Sequence, residues 1–167
     1  MKRRALILSL PALAPVAHAS PLDWFNGVSI GRKVSLPPLP YLDAAPQDNA
    51  LLTMWYFWGT WCGPCRETIP LLNRWAKAYP EFQVIAVTDE AAEVVKPFVA
   101  RVPMEVPVAL DTKRKLFGEV KVRAVPYAMV LDRAGVVVWR GQPKELEAQA
   151  AIPGMLDRAR QAVGPKS

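Results

Sequence analysis

Cys62 and Cys65 are the only cysteines in the 167-residue chain, and two residues separate them. A dithiol at that spacing can close into a disulfide and reopen, so the chemistry it offers is thiol–disulfide exchange. The stretch before it, Leu51 to Trp58, is dominated by apolar and aromatic residues. From Gly63 onward Cys65, Ile69, Leu72, Ala76 and Tyr79 recur three or four residues apart, as on one face of a helix. The order is therefore buried strand, sharp turn, cysteine, helix. Cys62 falls at the helix N-terminus, where unpaired N–H groups and the macrodipole favour an anion. A thiol there ionises readily, and the thiolate is its reactive form. Pro64 suits the first turn, because the N–H it lacks would have no intrahelical partner. Cys65 follows one turn later, in reach of a mixed disulfide held on Cys62.

Other uses of two cysteines fit less well. A structural disulfide closing so short a loop constrains the unfolded chain little. Zinc normally takes four ligands, and the chain has two Cys and one His. Covalent haem attachment needs His after the second Cys, where Arg66 stands. No metal and no bound cofactor is expected; the redox group is the Cys62–Cys65 pair itself.

The elements that must position this pair can be read outward from it. Leu51 to Trp58 has the apolar character of a central parallel strand. Its helix carries Pro70, which predicts a kink, and ends at Pro80. Phe82 to Thr88 is the next strand. Asp89 is the expected N-cap of a helix to about Arg101, interrupted at Pro97. Val106 to Leu110 reads as a strand, and Asp111 as the cap of a short helix to Glu119. Tyr127 to Asp132 and Val136 to Trp139 form a hairpin around Arg133-Ala134-Gly135. Pro143 to Ala162 closes the chain as helix, expected to break at Pro153-Gly154. Residues 20–49 are Pro- and Gly-rich, with Trp24, Phe25, Val28, Ile30, Val34 and Leu36 as apolar anchors. They read as an N-terminal extension packed on the domain, with a short strand near Lys33 to Leu36 and a turn from Ala45 to Ala50.

The first nineteen residues differ from the rest. Lys2, Arg3 and Arg4 precede an apolar stretch interrupted by Pro11 and Pro15, and Ala17-His18-Ala19 places small residues where a signal peptidase cuts. The stretch is short for a membrane span. We read residues 1–19 as a cleaved secretory signal with Ser20 as the first mature residue; an uncleaved anchor is the alternative. Removing three basic residues lowers the formal charge from +6 to +3, so the basic balance is partly a targeting feature and gives nucleic-acid binding little support. Cleavage also removes His18, the only histidine, and with it histidine-based acid–base catalysis. Export places the pair where disulfides form and persist. One domain, residues 50–163, follows the extension.

Trp61-Cys62-Gly63-Pro64-Cys65 resembles the active-site motif of thioredoxins. The longer Phe57-Trp58-Gly59-Thr60-Trp61-Cys62 is more similar to extracytoplasmic thioredoxin-like reductases of the TlpA/ResA group. The resemblance implies an α/β thioredoxin-like fold: a central mixed β-sheet flanked by helices, with an extra strand–helix insertion between Asp89 and Glu119. It implies that Pro126 is a cis-proline opposite the cysteine turn, with the Val125 main chain open to an extended substrate. It implies Trp61 as an apolar platform beside Cys62, and Trp55, Trp58 and Trp75 as core.

The pattern also departs from the family. Tyr56 stands where thioredoxins carry a buried acid, and tyrosine is a poor proton acceptor near neutrality. Ala124 and Tyr127 replace the family's Gly and Thr around the proline. Thr68 replaces a Glu seen in the ResA-like branch, with Glu67 one place earlier and turned about 100° around the helix. Arg66 is either a source of positive potential or a solvated helix residue.

The expected partners are protein disulfide or dithiol substrates, with a membrane thiol transporter as electron donor by family resemblance; cytochrome c biogenesis is one possible setting. The expected activity is a periplasmic protein-disulfide reductase. The alternatives are an oxidase using the same pair, or a chaperone or assembly module in which the dithiol is incidental. No resemblance to the peroxiredoxin cysteine motif is present.

Overall fold

The computed structural model describes residues 27–43, 45–46 and 49–164. The signal-like segment and the anchors Trp24 and Phe25 lie outside the described residues. Five strands form one mixed sheet in the order β3-β2-β1-β4-β5. β1 (Leu52–Phe57) is central, parallel to β2 (Phe82–Thr88) and antiparallel to β4 (Tyr127–Asp132). β3 (Val108–Leu110) extends the parallel side, and β5 (Val137–Gly141) pairs antiparallel with β4.

The period-2 geometry of a strand sends alternate side chains to opposite faces. Met54, Tyr56 and Trp58 enter one buried cluster with Cys65, Ile69, Leu72 and Trp75 of α1 (Gly63–Ala78). Trp55 and Phe57 enter the other, with Leu116 and Phe117 of α3 (Lys115–Glu119). The central strand reads as a continuous apolar run because both faces are covered. Trp55, Trp58 and Trp75 are all core, although Trp55 lies on the side away from the cysteines.

Several boundaries move for identifiable reasons. Asp89 does not cap α2 (Ala92–Val99): Ala91 is the N-cap, and the Asp89 carboxylate pairs with Arg114 instead. Pro97 lies inside α2 rather than interrupting it, and the helix ends two residues later. β3 begins at Val108, not Val106, because Pro107 has no N–H for the ladder; its carbonyl still accepts the Ala86 N–H at 2.9 Å. The N-cap of α3 is Arg114, at a positive φ of 51°, not Asp111, although the Asp111 carboxylate holds the helix start by accepting the Lys115 and Phe117 N–H groups at 2.8 and 2.9 Å. The hairpin's second strand runs to Gly141. The C-terminal helix is two: α4 (Pro143–Ala148) and α5 (Ile152–Val163). The break falls at residues 149–151, where Ala150 takes a positive φ of 46°. Pro153 sits in the first turn of α5, where a missing N–H is harmless, so it starts a helix instead of ending one.

The described part of the N-terminal extension crosses the α3 face of the sheet from one side to the other. Gly31 and Val34 donate to Val137 and Gly135 carbonyls at 2.8 and 2.9 Å, beside β5. Farther along, the Leu42 N–H reaches the Val108 carbonyl at 2.8 Å and the Leu110 N–H reaches Pro40 at 2.9 Å, beside β3. The expected short strand near Lys33 reduces to isolated bridges, Lys33 with Val136 and Tyr41 with Ala109. Val28 and Val34 are buried in the second cluster, whereas Ile30 and Leu36, also expected as anchors, are exposed.

Candidate redox site

The parallel strands β1 and β2 end together, so their outgoing loops meet at the carboxyl edge of the sheet. The Trp58 N–H continues the ladder to the Val87 carbonyl at 3.0 Å, and the chain then turns. The Cys62 N–H donates to the Gly59 carbonyl at 3.1 Å, closing that turn. Cys62 is the N-cap of α1 with extended backbone, and its Sγ accepts the Cys65 N–H at 3.2 Å. A main-chain donor aimed at this sulfur stabilises negative charge on it, which adds to the helix N-terminus in favouring the thiolate.

Cys62 and Cys65 are joined as a disulfide with Cα atoms 5.2 Å apart. Both are buried. Gly63 is half-buried, while Pro64 and Arg66 are exposed. Trp61, by contrast, is 69% exposed and lies back over Gly59: a Cβ at residue 59 would stand 2.6 Å from the Trp61 indole nitrogen. Only glycine leaves room for that placement.

The Val125–Pro126 peptide is cis. The antiparallel register that pairs Phe57 with Tyr127 brings Pro126 to the edge where the cysteine turn begins. Val125 is half-buried and packs against the cluster holding both cysteines.

Tyr56 lies under the site, fully buried, and its hydroxyl donates to the Cys65 carbonyl at 3.1 Å. Burial pushes its ionisation well above the ordinary 10.0, and the Thr68 hydroxyl opposes that only in part. Tyr56 is thus a neutral hydrogen-bond donor near Cys65. Thr68 is buried and donates to the Pro64 carbonyl at 3.0 Å. Glu67 faces solvent and pairs with Lys144 at 3.0 Å, so its carboxylate is engaged with α4. Asp111, the buried carboxylate among the described residues, holds the start of α3. Among the described residues no group of three or more His, Cys, Asp or Glu is placed to hold a metal ion.

One residue of this edge escaped sequence reasoning. Glu90, just beyond β2, accepts the Thr60 N–H at 2.6 Å and the Thr60 hydroxyl at 2.7 Å. The Thr88 hydroxyl donates to it at 3.2 Å. Thirty residues separate Thr60 from Glu90, and no local spacing rule connects them. The only available signal was the parallel pairing of β1 and β2, which brings their outgoing loops together.

The sequence model of the AhpC/TSA family matches residues 46–140, more than half of the chain. The chain belongs to the AhpC/TSA family. It is 38% identical over 85 residues to thiol-disulfide oxidoreductase ResA of Bacillus cereus, covering 49% of each chain. The chain thus spans about half the length of the first curated relatives it matches. The sporulation thiol-disulfide oxidoreductase A of Bacillus subtilis is 28% identical over 130 residues, covering 70% of this chain and 79% of that one. The thioredoxin domain of a Bacteroides vulgatus thiol-disulfide oxidoreductase superposes with a TM-score of 0.64 at 16% identity, covering 74% and 96% of the two chains. At that identity the likeness concerns the fold, which is thioredoxin-like as the cysteine motif implied.

Proposed function

We propose that the protein is an extracytoplasmic thiol–disulfide oxidoreductase that reduces disulfides of exported proteins. The observation carrying this reading is the Cys62–Cys65 disulfide at the N-terminus of α1, with the Cys65 N–H aimed at the Cys62 sulfur. Relatives named as thiol-disulfide oxidoreductases support it.

The cycle balances as two electrons. The reduced enzyme's Cys62 thiolate attacks a substrate disulfide, forming a mixed disulfide and releasing one substrate thiolate. Cys65 then attacks the Cys62 sulfur, its proton leaving with the second substrate sulfur as a thiol, and the enzyme is left oxidised. Substrate main chain lies along Val125, strand-like, with Trp61 against its apolar side chains. Gly63-Pro64 between the cysteines resembles the reducing members of the fold, which favours the reducing direction over the oxidising one. A membrane thiol transporter returns the electrons, and the signal-like residues 1–19 direct export; residues 20–49 and 50–163 then form one mature unit.

Two substitutions test the scheme. Cys62→Ser abolishes reduction of a protein disulfide such as insulin's; full activity in that variant would remove Cys62 from the mechanism. Cys65→Ser accumulates mixed disulfides on Cys62, visible as adducts that a reductant releases. If a double Cys→Ser variant keeps its cellular function, the dithiol is incidental and a chaperone or assembly role takes its place.

A further inference from the structure

We infer that Glu90 is a positioning residue for the active-site turn: its carboxylate holds Thr60 and thereby pre-orders the segment that presents Trp61 and Cys62 to a protein substrate. The inference deepens the function proposed above and rests on it.

Four hydrogen bonds define the clamp. Glu90 receives both the main-chain N–H and the side-chain hydroxyl of Thr60, one through each carboxylate oxygen, at 2.6 and 2.7 Å. The Thr88 hydroxyl, buried at the end of β2, donates to Glu90 at 3.2 Å and accepts the Glu90 N–H at 3.3 Å. The carboxylate is therefore tied to the rigid sheet on one side and to the active-site turn on the other. Hydrogen bonds to a carboxylate are the stronger kind, and two on one residue fix orientation as well as distance.

The segment held by the clamp is short and directly attached to the chemistry. Thr60 lies between Gly59, whose carbonyl accepts the Cys62 N–H at 3.1 Å, and the exposed Trp61. Gly59 supplies no side chain to stiffen this turn, and the Trp61 ring needs the space a side chain would fill. A turn carrying a glycine and an exposed aromatic has conformational freedom that docking would have to remove. Glu90 removes it beforehand, so the benefit falls on substrate binding and not on the bond-exchange step.

The test is reduction of insulin by the full chain, as wild type, Glu90→Ala, Glu90→Gln, Thr60→Val and Glu90→Ala/Thr60→Val, with KM and kcat measured separately. Exchange of the Thr60 amide is followed by NMR in the same proteins. Releasing one residue's main chain predicts a KM about tenfold higher in Glu90→Ala with a much smaller change in kcat. Glu90→Gln, which keeps one acceptor, recovers part of that loss. Thr60→Val raises KM by less than Glu90→Ala, since the main-chain N–H bond to Glu90 remains, and adds nothing in the Glu90→Ala background, because the Thr60 hydroxyl acts only through Glu90. The Thr60 amide is protected in wild type and exchanges at least about tenfold faster in Glu90→Ala.

Unchanged KM, a loss confined to kcat, or additive effects of the two substitutions would overturn the inference. So would an unprotected Thr60 amide in the wild type. If Glu90→Ala does not fold, Glu90→Gln and Thr60→Val carry the same comparison, and an unaltered KM in both is decisive against it. An inactive wild-type protein with a protected Thr60 amide would count against the reductase reading while leaving the clamp in place.

Discussion

At the scale of single residues, the site separates two sulfurs by environment. Cys62 has a main-chain donor and a helix N-terminus, whereas Cys65 is fully enclosed in an apolar cluster above Tyr56. Tyr56 cannot take a proton from Cys65 near neutrality, since burial drives its own ionisation upward. The consequence for stability has a definite sign. Tyr56 titrates above its unfolded value, so its neutral form contributes fully below about pH 10, and that contribution is lost as pH rises beyond it. Tyr56→Phe should lower stability at pH 7 by about 1 kcal/mol, the hydrogen bond to Cys65 being lost. It should also flatten the fall in stability above about pH 10, as read by urea denaturation across pH; an equally steep fall would mean that other groups control it. At this scale the Cys62–Cys65 pair was legible from its local motif, whereas cis-Pro126 followed only from the family resemblance. Glu90 was not legible, since its partner Thr60 is thirty positions away and only the strand pairing joins them.

Between residues and fold, each element that frames the site has a particular fastening. The turn after β1 depends on Gly59 and the α3 segment on Asp111. Gly59→Ala should drive the Trp61 ring off its resting place and change the tryptophan emission, with little loss of stability because that ring is exposed at the surface. An unaltered spectrum would show that Trp61 is not lodged there. Asp111→Ala removes two acceptors at the start of α3 and should cost about 1–2 kcal/mol, measured by thermal or urea unfolding. The strands and α1 could be read from the sequence because burial on two faces and a 3.6-residue period leave strong patterns. Two of the misplaced helix boundaries share a cause: a side chain suited to capping, or a proline suited to breaking, took another role in its tertiary context. Asp89 went to Arg114, and Pro153 opened α5.

The whole molecule places its chemistry at one edge of a sheet and its fastening across one face. The ends of β1 and β2 and the loop before β4 converge, so that dithiol, Glu90 clamp and cis-proline come from three separate stretches. Residues 27–43 of the N-terminal extension lie across the α3 face, reaching the regions of β5 and β3 and supplying hydrogen bonds to both. Pairing of that kind restrains edge strands that would otherwise invite other chains. Deleting residues 27–43 should therefore lower the unfolding temperature and promote aggregation, detectable by light scattering; a deletion variant as stable and as monodisperse as the full chain would show that the extension is dispensable to the fold. Of the apolar anchors read from its composition, Val28 and Val34 are buried whereas Ile30 and Leu36 face outward, and its path was not legible, since Pro- and Gly-rich segments carry no periodic signal.

The central claim is that Cys62 and Cys65 form a reversible, reducing couple. The direct measurement is its reduction potential, titrated in defined thiol buffers and followed by tryptophan fluorescence. The predicted result is a single two-electron transition near thioredoxin's value, about −270 mV. A transition near about −120 mV would mark an oxidant and contradict the reductase assignment, and the absence of any reversible transition would contradict the exchange mechanism itself.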